Sequence, residues 1–323
     1  MTTTYPTVRM RRLRRTPELR YLVRENEVTA ADLIYPIFID EGISEPVAVQ
    51  AMPGVMRWPE SQVDRIIRKV WDCGIRAVLL FGVSHKKDAT GSDSFKSGGL
   101  IERMVDACKQ AAPEMVVISD TCFCEYTDHG HCGVLDGASV MNDQTLENLV
   151  KQALIAVKAG ADVIAPSGMM DGTVSRLRTG LDAEGYEQTP IMAYSSKFAS
   201  AFYGPFREAA GCDLEGDRRT YQLDPANGRE AIVESIIDEA EGADMLMVKP
   251  GMPYLDILSE VRRATRLPMA VYQVSGEYAM IRLAAAAGVL DEDAVIDESL
   301  LAFKRAGADL IISYFALDYL KHR

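Results

Sequence analysis

Three stretches of this 323-residue chain repeat one pattern: "AGADVIAP" at 159–166, "EGADMLMV" at 241–248 and "AGADLIIS" at 306–313. Each reads as a helix end, a glycine turn and the start of an apolar strand. Counting every run of this kind gives eight: "DLIYPIFI" (32–39), "RAVLLFGV" (76–83), "MVVIS" (115–119), "DVIAP" (162–166), "IMAYS" (191–195), "DMLMVK" (244–249), "MAVYQV" (269–274) and "DLIISY" (309–314). Near-continuous Val, Ile, Leu and Met is what a strand covered on both faces requires. Between the runs lie amphipathic stretches such as "QTLENLVKQALIAVKAG" and "GREAIVESIIDEAEG", with apolar residues at helical spacing. Eight such units in a chain of this length predict an α/β fold of the (β/α)8 barrel type, usually about 250 residues before insertions. A doubly wound open sheet is the alternative. No Gly/Ser- or Pro-rich linker divides the chain, so the expected organisation is an N-terminal arm, 1–30, and one barrel domain, 31–323.

Charge sets the arm apart. Residues 1–24 hold Arg9, Arg11, Arg12, Arg14, Arg15, Arg20 and Arg24 against a single acid, Glu18, whereas the whole chain carries a net charge of -12. So acidic a body would repel a phosphate backbone, which argues against general nucleic-acid binding. The basic arm is better read as a strap lying on an acidic surface, its own or a neighbour's. No stretch approaches the roughly 18 consecutive apolar residues of a membrane span, and the N-terminus lacks the apolar segment of a secretory signal. The expected address is the cytoplasm, with no membrane partner.

In a barrel, catalytic groups sit where strands end. Asp120, Ser167, Lys197, Lys249, Ser275 and Tyr314 all end or closely follow a strand run. Just after the third run, "SDTCFCEYTDHGHCGV" (119–134) gathers Cys122, Cys124 and Cys132. Alternate residues of an extended chain face one side, so the first two thiols can meet one ion. Three sulfurs would leave a coordination position open, as in catalytic zinc; His129 or His131 could instead close a structural site. A chain with few, crowded cysteines does not read as a disulfide framework.

Lys197 and Lys249 could form imines with a carbonyl substrate if one lost its proton. That needs a depression of about three pKa units, about 4 kcal/mol, which a second ammonium nearby and burial could together supply. The alternative for either is a solvated surface charge. Between them "FYGPFREAAGCDLEGDRRTYQ" resembles a lid, whose Arg207 and Arg218 could clamp a carboxylate or form surface ion pairs. Ser275 and Tyr314 are hydroxyl donors that could hold a second carboxylate, or serve as a helix cap and a core residue.

Taken together, "SDTCFCEYTDHGHCGV", "YSSKFASAFYGPFREAAG", "MVKPGMPYLDI" and "YQVSGEYAMI" closely resemble the porphobilinogen synthase (5-aminolevulinate dehydratase) family, over essentially the whole chain from "RRLRRTPELR" to "GADLIISYFA". The resemblance implies a Schiff-base (β/α)8 barrel that condenses two 5-aminolevulinate molecules into porphobilinogen with loss of two waters, in tetrapyrrole synthesis. It implies that Lys249 and Lys197 form the imines, that Ser275 and Tyr314 bind the carboxylate of the substrate on Lys249, and that Arg207 and Arg218 bind that of the second. It places Cys122, Cys124 and Cys132 in the zinc-dependent group, the zinc positioning and polarising the second substrate. It puts an activating magnesium at Glu234 and implies a homo-octamer whose arm embraces a neighbouring barrel. Asp120 could move protons in the dehydrations, or make a structural hydrogen bond. Two other readings differ in class: another lysine-imine aldolase on the same barrel, and a noncatalytic zinc-dependent assembly protein.

Overall fold

The repeated glycine-alanine-aspartate turn is the joint that builds the molecule. In the computed structural model, which describes residues 7–321, Gly160, Gly242 and Gly307 adopt φ of 104°, 103° and 115°. Side chains strongly disfavour that left-handed region, so glycine is what lets each helix stop and reverse. The aspartate two residues on then reaches the adjacent strand. Asp162 accepts a hydrogen bond from the Val117 amide at 2.7 Å, Asp244 from Ile191 at 2.8 Å and Asp309 from Met269 at 2.8 Å. Each motif thus ends its helix, starts its strand and pins the start of the neighbouring strand, using charged acceptors worth about 1.5–3 kcal/mol apiece before solvent screening reduces them.

The barrel strands are β1 (Leu33–Asp40), β2 (Ala77–Val83), β3 (Val116–Thr121), β4 (Val163–Pro166), β5 (Met192–Lys197), β6 (Met245–Lys249), β7 (Met269–Gln273) and β8 (Leu310–Ser313). Every pairing among them is parallel, in the order β4-β3-β2-β1-β8-β7-β6-β5. The two ends of that row meet through the Ile164–Ile191 bridge, which closes the (β/α)8 barrel expected from the sequence. All eight apolar runs become strands, and the interior residues of β5 are all buried.

Helices such as Val63–Asp72, Leu100–Ala111, Asn142–Lys158 and Gly228–Ala240 pack around the strands. The sequence reading missed a short antiparallel pair, Val47–Ala48 with Met56–Pro59, the latter also lying alongside β1. These strands are too short to show alternation. The basic arm contributes two short helices, Met10–Arg14 and Pro17–Leu22, which bury no residue. Its first six residues, like residues 322–323 at the end of the barrel domain, lie outside the described residues. Among the described residues no helix is long and apolar enough to cross a membrane.

Candidate active site

Lys197 ends β5 and Lys249 ends β6, and the parallel ladder sets them directly opposite one another. A bulge makes this possible. Between the Leu246–Ala193 and Val248–Ser196 pairs, two steps along β6 face three along β5. The extra residue reverses the alternation of β5 beyond it, so Tyr194 and Lys197, three apart in sequence, can both face the barrel interior.

Both lysines are almost fully buried, at 4% and 5% exposure. Their nitrogens share the Tyr194 ring, lying 5.5 Å (Lys197) and 5.1 Å (Lys249) from its centroid. Lys197 Nζ donates a hydrogen bond to the Ser167 carbonyl at the end of β4. Lys249 Nζ is ringed by aromatic faces: Tyr272 at 4.2 Å, Phe206 at 5.3 Å and Tyr203 at 5.5 Å complete the set.

Those rings attract an ammonium by about 0.5–2 kcal/mol, but they also exclude water, and exclusion wins. Burial first, and the Lys197 charge second, bring the Lys249 ammonium from its ordinary 10.5 down to about 7. At about 1.4 kcal/mol per unit, that is a preference of about 5 kcal/mol for the neutral amine relative to water. Near neutral pH the uncharged, nucleophilic amine is then well populated.

Asp120, on β3, supplies the anion of this cluster. Its Oδ2 accepts a hydrogen bond from Ser167 Oγ at 3.1 Å. Oδ1 and the Tyr194 hydroxyl are both buried, and the two side chains interact with each other. Burial raises the carboxyl to about 6 despite the opposing pull of Lys249 and Lys197, a value suited to trading a proton near neutrality.

A cavity of about 210 Å³ opens onto both lysines and is lined on its outer side by Arg207 and Arg218. Arg207 is exposed on the short helix Gly204–Ala210. Arg218 is tied back, donating from Nη2 to the Gly130 carbonyl in the cysteine loop at 2.9 Å, while its Nε is buried and unpartnered. The four residues singled out as a pair of amines and a pair of guanidinium groups therefore meet in one place. Ser275 and Tyr314 do not line this cavity. Ser275 Oγ accepts from the Phe206 amide at 3.0 Å and donates to the Phe202 carbonyl at 3.2 Å, so it holds the segment that carries one of the rings. The Tyr314 hydroxyl pairs with that of Tyr272 at 3.1 Å, directly behind Lys249.

Beside Asp120, the thiols of Cys122, Cys124 and Cys132 converge with all three sulfurs within 4.8 Å of one another. Cys122 and Cys124 stand 3.5 Å apart, and none of the three is in a disulfide. Tetrahedral coordination with metal–sulfur bonds of about 2.3 Å needs sulfurs about 3.8 Å apart, so the cluster fits a metal ion with little adjustment. Neither histidine joins it. His131 uses Nε2 on the Glu215 carbonyl (2.7 Å) and Nδ1 on the Tyr221 hydroxyl (3.0 Å). His129 faces the Ala89 carbonyl and the His131 amide.

Glu234 lies elsewhere, on the outer helix Gly228–Ala240, lining a cavity of about 270 Å³ with Asp171, Glu230 and Asp238. Burial and the Asp171 charge raise its carboxyl. Among the described residues no trio of possible metal ligands closes around it.

The aromatic cage of Tyr194, Tyr203, Phe206 and Tyr272 escaped the sequence reading, as did Glu125 and Cys212 beside the cysteines. For Tyr203 and Phe206 there was a signal, the aromatic richness of the lid segment; for Tyr194 there was none, because strict alternation turns it away from Lys197.

Comparison with known proteins places the whole chain in a family. A family model described as delta-aminolevulinic acid dehydratase matches residues 7–322. The delta-aminolevulinic acid dehydratase of Escherichia coli (strain K12) is 60% identical over 310 residues, 96% of each chain. That of Synechococcus elongatus is 50% identical over 319 residues, 97% of this chain and 98% of the relative. The crystal structure of delta-aminolevulinic acid dehydratase (porphobilinogen synthase) from Toxoplasma gondii ME49, in complex with the reaction product porphobilinogen, superposes with a TM-score of 0.95 at 42% identity, covering 98% of this chain and 91% of that one. Matched along nearly its whole length in both sequence and fold, the chain belongs to the delta-aminolevulinic acid dehydratase family.

Proposed function

We propose that this chain condenses two molecules of 5-aminolevulinate into porphobilinogen, releasing two waters, with Lys249 and Lys197 each holding one substrate as an imine. The observation that carries the assignment of the amines is their pairing across β5 and β6 with Lys249 held near pH 7. The neutral Lys249 amine attacks the ketone of one substrate, and the resulting carbinolamine loses water to give the imine. That loss needs a proton delivered to the departing hydroxyl. Asp120, buried beside both amines, is placed to give it and later to take one back.

Arg207 and Arg218 bind the carboxylate of the second substrate from the lid side of the cavity. Ser275 and Tyr314 take the carboxylate of the first. For Ser275 this means releasing the Phe202 carbonyl to which its hydroxyl now donates, so substrate entry is coupled to movement of the 202–206 segment.

Cys122, Cys124 and Cys132 would hold a zinc ion, which would supply Lewis acidity toward the second substrate. Glu234 contributes a carboxylate to an activating magnesium, an ion that keeps several waters and so needs few protein ligands. The arm, 1–30, serves as a strap on a neighbouring barrel, 31–323, in a homo-octamer. Its exposed Met10, Leu13, Tyr21 and Leu22, set among arginines, supply apolar and cationic surface for an acidic neighbour.

A simple aldolase would need one amine and no sulfur cluster, and an assembly scaffold would need neither amine. Borohydride reduction in the presence of 5-aminolevulinate separates either imine enzyme from the scaffold, and formation of porphobilinogen separates the synthase from an aldolase. The expected result is a reduced adduct mapped by peptide mass to Lys249; absence of any lysine adduct would overturn the imine assignment.

A further inference from the structure

A fourth thiol reaches the cysteine cluster from the lid segment. Cys212, just beyond the helix Gly204–Ala210, lies in the lid segment between Arg207 and Arg218. It is buried, and its thiol points back at the cysteine loop, donating to the Cys124 carbonyl at 2.8 Å. Its sulfur, the Cys124 sulfur and a carboxylate oxygen of Glu125 all lie within 4.8 Å of one another. They form a second trio of ligand atoms with Cys124 as the shared member.

Glu125 is 2% exposed, its Oε1 has no hydrogen-bond partner, and its Oε2 is served by the Cys124 thiol at 3.2 Å. Once Cys124 becomes a thiolate ligand of the three-cysteine site, it has no proton to give. Glu125 then loses that side-chain donor, and neither of its buried carboxylate oxygens keeps a side-chain partner. A buried carboxylate oxygen without a partner, beside two sulfurs, is a ligand atom free to take an ion.

We propose that Cys124, Glu125 and Cys212 form a second site for a zinc-like divalent ion, the Cys124 sulfur bridging it to the ion of the three-cysteine site. Two thiolates and a carboxylate suit a borderline-soft cation and disfavour magnesium or calcium. Binding displaces the Cys212 proton and replaces the Cys212–Cys124 carbonyl hydrogen bond with a metal bond. The lid is thereby fastened to the cysteine loop at a point between its two carboxylate-binding arginines. This proposal rests on the three-cysteine reading, because the two sites share a ligand.

Cobalt(II) is the probe, since it accepts tetrahedral thiolate sites and is visible. The full-length chain, reduced and stripped of metal, is titrated with Co²⁺ while the thiolate-to-cobalt absorption and the high-spin cobalt paramagnetic resonance are followed. The absorption should rise through two equivalents. The resonance should grow over the first equivalent and decline over the second, because a bridging sulfur couples the two ions. Cys212→Ser and, as a near-isosteric check on folding, Glu125→Gln should each stop at one equivalent with an undiminished resonance. Saturation of the thiolate absorption at one equivalent in the unaltered chain would overturn the second site alone. A second ion whose resonance simply adds to the first would overturn it too, as would a second ion that survives in Cys212→Ser. Absence of thiolate absorption altogether would overturn both sites.

Discussion

Lys249 and Lys197 are neighbours on one ladder, yet their nitrogens live differently. Lys197 is tied to the Ser167 carbonyl, an acceptor that an ammonium satisfies well. Lys249 Nζ makes no hydrogen bond among the described residues and is surrounded instead by four aromatic rings. The lesson is a division of labour between identical side chains. A tethered cation at one strand end helps to keep the amine at the next strand end uncharged, and the cage of rings does the rest by excluding water. Neither device alone would suffice: a caged lysine without a charged neighbour would titrate higher, and a paired lysine in water would be screened.

The sharpest way to break this comparison is to remove the caged amine. Lys249→Met should reduce porphobilinogen formation by roughly 10⁴-fold or more, as loss of a covalent nucleophile does, with unchanged far-UV circular dichroism. Near-normal turnover would show that Lys197 acts alone. A smaller effect is expected from the tether. In Lys197→Met the like charge is gone, so the pH at which borohydride trapping on Lys249 is half-maximal should rise above its starting point near 7, by on the order of one unit.

The sign follows from the charge type. The neutral amine is the reactive form, so trapping falls as pH drops through the Lys249 pKa, and stabilising the ammonium moves that fall upward. The smallest effect should have the opposite sign. Asp120 favours the Lys249 ammonium but ranks below burial and Lys197 among the influences on it. Asp120→Asn should therefore lower the trapping midpoint, by roughly a few tenths of a unit. Shifts in the same direction for both variants would refute the electrostatic account.

The barrel could be read before it was seen because parallel strands buried on both faces have little choice of composition. All eight runs, from Leu33–Asp40 to Leu310–Ser313, are strands, and the recurring aspartate turned out to pin the neighbouring strand. The amines were legible as strand-end residues. Their adjacency was not, because register depends on a one-residue bulge in β5 that no local pattern announces. The three-cysteine cluster was legible from spacing, since Cys122, Cys124 and Cys132 lie within one loop. Cys212 was not, because its approach to Cys124 is made by the fold rather than by the chain between them. Ser275 and Tyr314 closely follow β7 and β8 as expected, but the hydrogen-bond partners they now hold, the Phe202 carbonyl, the Phe206 amide and the Tyr272 hydroxyl, could not have been inferred from position.

The ladder that sets Lys197 opposite Lys249 has a wider consequence. Adjacent strands stand about 4.8 Å apart and each residue advances about 3.3 Å, so the offset between the two lysine amines is quantised rather than adjustable. Displacing either lysine by one position turns it outward toward the helices, and displacing it by two slides it more than a carbon–carbon bond out of reach. A scaffold of this kind cannot bring two strand-end amines together by gradual refinement; it either has the register or lacks it, which makes the bulge in β5 as much a determinant of the proposed imine chemistry as the amines themselves.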